Sequence, residues 1–273
     1  MRHLIGAILV GSLVAATPAL AQEGGHEQPQ PPRQNWSFAG PFGTYDQAQL
    51  QRGYKVYKEV CSLCHSMSLL SFRNLAEPGG LGFSEAQIKQ LASEFEYPDE
   101  QNPDGKPRKG RPADHFPPPS TKIPNATPPD LSVIAKARTY ESGFPRFIVD
   151  AFTQYQEQGV DYISAFLNGY EDNPPTGVTL APGTFYNKYF PGHAVAMPKP
   201  VQIFSNSVVY DDGTPTTPEQ YAKDVAAFLM WAAEPHLVAR KRLGFQVMIF
   251  LIVFAGLLYF TKKKVWSDVH GHA

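Results

Sequence analysis

Cysteine is almost missing from this sequence: two residues, Cys61 and Cys64, among 273. One pair cannot build a framework of structural disulfides. A bond between cysteines three positions apart would close a single turn and restrict little of the unfolded chain, so the pair is expected to serve chemistry rather than stability. Methionine is scarce as well, at five residues, so each one can be weighed singly as a ligand. No internal repeat is found. Charge of one sign is not in excess over the whole chain, which carries a formal net −1. That balance hides an asymmetry, since residues 22–239 hold 17 Lys and Arg against 24 Asp and Glu, a net −7. Acidity of this kind discourages nucleic acid and suits a basic protein partner. A negative surface kept for solubility fits the composition equally well.

Two long apolar runs are present. Residues 1–21 combine Arg2, an apolar stretch from Leu4 to Ala16 and an Ala19-Leu20-Ala21 end, the pattern of a cleaved export signal. A single Arg and an unbroken apolar centre point to a bacterial signal rather than a mitochondrial presequence. The second run, Leu243 to Phe260, has 18 residues without a charge, and Leu237 to Ala239 lengthen it by a turn. Arg240-Lys241-Arg242 and Lys262-Lys263-Lys264 bracket it, so a transmembrane helix is predicted over 237–261. Both flanks carry three basic residues, and orientation must come from the signal: the body is exported to the periplasmic side of a bacterial plasma membrane, and the tail 262–273 stays in the cytoplasm.

Between these runs lie a Pro- and Gln-rich lead-in, 22–35, too polar to fold alone, and a body, 36–236, whose 42% hydrophobic chain composition can supply a core. The body reads as mainly α. Leu50, Gly53, Tyr54, Tyr57 and Val60 share one face of a helix within 46–60. Ser84 with Gln87 marks a capped second helix. Leu131 to Ala137, Phe144 to Phe152 and Tyr162 to Asn168 read as short helices. Thr217-Pro218-Glu219-Gln220 opens a last soluble helix that ends near Glu234-Pro235. Ten prolines between Pro98 and Pro129 exclude continuous helix or central strand there. A loop of that length has a reasonable use in wrapping a cofactor. Residues 173–200 are expected to be irregular but packed.

The first helix delivers the chain into Cys61-Ser62-Leu63-Cys64-His65. C-x-x-C-H is the attachment motif for c-type haem: two thiols add to two vinyl groups, and the adjacent imidazole reaches the iron. A thioredoxin-like dithiol would need a βαβ setting, and half a zinc site would need two more ligands; neither context is present. The other axial ligand follows by elimination. Met1 is lost with the signal, Met67 is too close to His65, Met248 lies in the membrane run, and Met230 sits among core-type neighbours. Met197, in Ala196-Met197-Pro198-Lys199-Pro200, is the expected ligand, with His193 as its rival. A Met/His pair raises the potential. On the motif alone, an oxidase-type c subunit, a haem sensor and a periplasmic dithiol protein all stay open.

The ordered set of further motifs is more specific. Cys61-Ser62-Leu63-Cys64-His65-Ser66-Met67, Pro128-Pro129-Asp130-Leu131-Ser132, Pro174-Pro175-Thr176-Gly177-Val178, Tyr189-Phe190-Pro191-Gly192, Asp211-Asp212-Gly213-Thr214-Pro215 and Trp231-Ala232-Ala233-Glu234-Pro235 resemble the cytochrome c1 family from about Trp36 to Trp266. The resemblance implies a cytochrome-c-like haem domain with long Pro-rich loops and one C-terminal transmembrane helix. It implies one covalent haem c on Cys61 and Cys64, with His65 and Met197 as axial ligands. Arg138 and Tyr162 would stand near the propionates, and Pro129 against the proximal face. Electrons would pass singly from a Rieske iron–sulfur subunit to a soluble or tethered c-type cytochrome, in respiratory or photosynthetic transport, beside a cytochrome b subunit. No bond-making chemistry would belong to this polypeptide. The run 139–159 resembles an insertion found in some bacterial members, and the second cysteine pair of many members is absent.

Overall fold

A computed structural model describes residues 29–99, 104–119, 121, 127–200 and 208–267. The expected export signal, residues 22–28 of the lead-in and residues 268–273 of the tail lie outside these.

Helix α1, Gln47–Glu59, starts where its cap dictates: the Asp46 side chain accepts from the Gln49 N–H at 3.1 Å. It buries Leu50, Gly53, Tyr54 and Tyr57, as the spacing predicts, and Val56 besides. Helix α2, Glu85–Ser93, follows a reciprocal capping box between Ser84 and Gln87. Helix α3 is short, Ile134–Ala137, since a turn occupies the first residues of the stretch expected to be helical. Helix α4 spans Arg146–Thr153 and α5 spans Gln158–Asn168. Helix α5 begins four residues ahead of Tyr162 because Gly159, Val160 and Asp161 are all buried against its neighbours. A Cβ at Gly159 would stand 1.9 Å from the Ala135 carbonyl oxygen, so only glycine lets α5 approach α3 this closely. Helix α6, Pro218–Ala233, takes its N-cap from Thr217, whose hydroxyl accepts from the Gln220 N–H at 3.2 Å.

The core forms where α1, α3 and α5 pack on α6. Gly53 sets the α1–α6 crossing: a Cβ there would meet the Asp224 carbonyl oxygen at 2.1 Å and Phe228 Cβ at 2.7 Å. Tyr54, Tyr57, Phe116 and Phe228 stack edge-on and tilted around that point. The fully buried Asp224 is met by Arg52 Nε at 2.9 Å, Gln49 Nε2 at 3.2 Å and Gln220 Nε2 at 2.8 Å, as a buried carboxylate requires. Asp161, also fully buried, accepts from the Gln34 N–H and Trp36 Nε1, both at 2.9 Å, and from the Tyr140 and Tyr155 hydroxyls. It ties the segment before α1 and the 139–159 run to α5.

Among the described residues strands are few and short. β1, Glu96–Tyr97, pairs antiparallel with β2, Arg108–Lys109, and β3, Phe185–Tyr186, pairs antiparallel with β4, Ala194–Val195. The segment 173–200, expected to be irregular but packed, thus carries a two-residue ladder as well.

Helix α7, Leu237–Val265, is 29 residues long and exposes nearly all its side chains. At 1.5 Å per residue it extends about 44 Å, against an apolar bilayer core of about 30 Å, and it is the one membrane-span candidate among the described residues. It runs four residues beyond the expected end because Lys262, Lys263 and Lys264 suit the negative end of a helix. Its joint with α6 is short and braced. Glu234 pairs with Lys136 at 2.8 Å and accepts from Arg240 Nε at 2.6 Å; the Tyr45 hydroxyl donates to the Glu234 carbonyl at 3.0 Å. Lys241 Nζ donates to the carbonyls of Phe38 and Gly40, each at 2.6 Å.

Candidate functional site

Directly after α1 the chain makes one 3-10 turn, Cys61–Leu63. The N–H groups of Cys64 and His65 both donate to the Cys61 carbonyl, at 3.1 and 2.9 Å. This turn brings Cys61, Cys64 and His65 together on a cavity of about 340 Å3 that is otherwise lined mainly by apolar side chains, among them Val60, Leu131, Ile163, Val225 and Leu229. The two cysteines are not bonded to each other. Burial, aided by Cys64, pushes the Cys61 thiol up to about 12, so it stays protonated at neutral pH.

His65 Nδ1 lies 2.9 Å from the Pro129 carbonyl oxygen. A carbonyl only accepts, so Nδ1 carries the proton and Nε2 keeps its lone pair for a metal. Burial lowers the imidazole pKa against the opposing pull of that hydrogen bond and of Asp130, which favours the neutral ligating form.

The Pro129 carbonyl is itself held. Asp130 accepts from Ser66 Oγ at 2.6 Å and from the N–H groups of Ser68 and Ser132, each at 2.8 Å. The Leu131 N–H donates to the Ser66 carbonyl at 2.8 Å, and the Leu69 N–H to Ser132 Oγ at 3.1 Å. Burial works against the Asp130 charge, but the bonds from Ser132, Ser66 and Ser68 outweigh it and hold the carboxyl well below the usual carboxylate range. Sequence reading did not single out Asp130. Its only local signal is the serine two residues on, because the partners Ser66 and Ser68 are more than 60 residues away.

Met197 lines the same cavity from a different loop, between Ala196 and Pro198, and the Tyr170 hydroxyl donates to its carbonyl at 3.2 Å. His193 does not line it. That imidazole is buried, with Nδ1 3.1 Å from the Asn187 carbonyl oxygen and its ring stacked on Tyr186. Met67 and Met230 are core residues and Met248 sits exposed on α7. Tyr162, buried on α5, and Arg138, exposed just after α3, line the cavity together. Burial raises the Tyr162 pKa and the Arg138 charge opposes it. Pro128, Pro129, Phe166 and Phe190 complete this part of the wall.

Two thiols and a neutral imidazole from one turn, a thioether from another loop and an apolar cavity between them form a donor set that fits a covalent haem, the mark of c-type cytochromes. Comparison with known proteins refines the class. Residues 36–269 match the Cytochrome C1 family. The chain is 57% identical over 274 residues to a cytochrome b/c1 of Bradyrhizobium diazoefficiens, covering 97% of this chain and 39% of that relative, so it spans about two fifths of that protein's length. It is 47% identical over 277 residues to cytochrome c1 of Blastochloris viridis, covering 96% of this chain and 94% of the relative. It is 40% identical over 267 residues to the mitochondrial cytochrome c1 heme protein of Saccharomyces cerevisiae, covering 94% and 78%. The chain belongs to the cytochrome c1 family. It is a haem protein of electron transport, the electron-transfer subunit of a cytochrome b/c1 complex.

Proposed function

We propose that Cys61 and Cys64 would hold haem c as thioethers, that His65 Nε2 and the Met197 sulfur would hold its iron, and that the polypeptide relays single electrons between partner subunits. The observation that carries this reading is the convergence of His65 and Met197, from segments 132 positions apart in the sequence, on the cavity that also takes both cysteines. Bound there, haem supplies a one-electron ferric/ferrous couple. The chain's own residues do the rest. Pro129 keeps the His65 proton on Nδ1, Asp130 keeps Pro129 in place, and Met197 biases the couple toward the reduced state. Arg138 offers a guanidinium fork, and Tyr162 a phenol, to the propionates. The apolar wall excludes water.

Electrons arrive from a Rieske iron–sulfur subunit, beside a cytochrome b subunit, and leave to a soluble or tethered c-type cytochrome. The body, 36–236, faces the periplasm of a bacterial plasma membrane after removal of the export signal 1–21, with a lead-in at 22–35, the span at 237–261 and the tail 262–273 in the cytoplasm. Gentle detergent extraction should recover the chain with a b-type cytochrome and an iron–sulfur protein, and the reduced sample should show c-type absorption bands. Absence of those bands defeats the haem assignment, and isolation without the two partners defeats the relay.

A further inference from the structure

Helix α4 is built inside out. A step of about 100° per residue places Arg146, Asp150 and Thr153 on one side and Phe147, Ile148, Val149 and Phe152 on a broad arc opposite. Asp150, on the polar side, is the one buried residue of the helix and the one that docks. Asp150, only 6% exposed, pairs with Arg33 and accepts from Ser142 Oγ at 2.8 Å, and the Arg33 guanidinium lies 4.1 Å from the Tyr155 ring centre. The apolar side faces outward, with Phe152 86%, Phe144 82%, Phe147 57% and Val149 52% exposed. A helix of a water-soluble surface does the reverse, and a contiguous apolar patch of this kind marks a surface that is covered in use.

The contacts beneath α4 lead to the head of α7. Arg33 stands three residues before Trp36, which stacks on Phe38 at 5.4 Å, and the Phe38 carbonyl accepts from Lys241 of α7. Phe42, 73% exposed, packs edge-on against Phe245 at 5.5 Å, where the apolar run of α7 begins. The segment on which α4 docks thus runs on to the residues at which α7 enters its apolar span, where the exposed rings of Phe42 and Phe245 meet.

We infer that the outward face of α4, with Phe144, is an interfacial anchor that lies in the boundary between headgroups and acyl chains of the bilayer α7 crosses. The occupant of this face is lipid. The inference rests on α7 being a membrane span. An apolar arc with no charged residue on it, rich in Phe and docked on the segment that leads to the head of a transmembrane helix, is what insertion to the depth of the acyl boundary demands. The polar side then remains free to hold the helix on the body through Asp150 and Arg33.

The test uses the full-length holoprotein in phosphatidylcholine–phosphatidylglycerol vesicles. Single cysteines introduced as Phe147→Cys and Phe152→Cys carry a fluorophore, with Cys61 and Cys64 consumed as thioethers. Ala86→Cys on α2 serves as the aqueous control and Leu251→Cys on α7 as the control for the span. Lipids with brominated acyl chains should quench the labels at 147 and 152 several-fold more than the label at 86, and iodide should quench them several-fold less. Iodide quenching equal to that at 86 overturns the inference. If that access is lost only in the assembled complex, without quenching by brominated lipid, the face belongs to a protein subunit instead. If the label at 251 is not reached by brominated lipid, the span itself fails and the anchor with it.

Discussion

The Nδ1 of His65 and the carbonyl oxygen of Pro129 stand 2.9 Å apart, and neither position is left to the local chain. His65 is set by the turn that closes α1. Pro129 is set by the residue after it, whose carboxylate reaches back to Ser66 and Ser68. Two segments more than 60 residues apart are clasped at the atom that orients the imidazole.

Replacing Asp130 by Asn should therefore loosen the clasp and cost about 1.5–3 kcal/mol at neutral pH, the range for hydrogen bonds to a charged group. The Asp130 carboxyl is depressed in the folded protein, against about 3.9 when unfolded. Its contribution is present above the unfolded value and is lost as pH falls through the lower folded one. Denaturant unfolding of both proteins across pH should show the gap narrowing below about pH 4. A gap independent of pH would assign the effect to shape rather than charge.

Met197→Leu should lower the reduction potential by on the order of 0.1 V, a modest part of the roughly 0.8 V that axial ligands command. His193→Ala should leave it near the wild-type value, because that ring is engaged by Asn187 and Tyr186. Potentiometric titration of both variants separates the two candidates, and the reverse pattern would transfer the ligand role to His193.

Gly53→Ala should destabilise the body. Overpacking costs about 1–3 kcal/mol, and the atom met at 2.1 Å is backbone, which cannot swing aside. The gain in helix propensity recovers only about 1 kcal/mol of that. Gly244→Ala on α7, with nothing within 4 Å of its new methyl, should be neutral or slightly stabilising. Thermal melts of the two variants make the comparison.

Electron delivery to a basic c-type acceptor should slow as salt rises from about 10 mM to about 150 mM, as screening shortens the reach of the net −7 body. Stopped-flow oxidation of the reduced complex measures it. A flat profile would mean that the acidic surface serves solubility only.

Helix starts were legible where a cap announced them: Ser84 and Thr217 each bond as their spacing predicts, whereas the Asp46 cap of α1 emerges only in the structure. The beginning of α5 was not, because Gly159 is a poor helix former that is helical here only through its close approach to α3. The β3–β4 ladder escaped for a related reason, since its partners are eight or more residues apart and each strand is two residues long. At the site, C-x-x-C-H carried its own geometry, and counting methionines led to a residue that lines the cavity. Asp130 remained hidden because its partners are distant in sequence. The stretch Phe144 to Phe152 read only as a short helix, and the docking of Asp150 reveals that its phenylalanines are turned out.

The braced joint at Glu234 has a mechanical meaning. Three residues separate α6 from α7, and Lys136, Arg240, Tyr45 and Lys241 fasten body to anchor on several sides. The cavity is thus carried on a braced post rather than a loose tether, and its distance from the head of the apolar helix is set by side-chain contacts instead of by the reach of a linker.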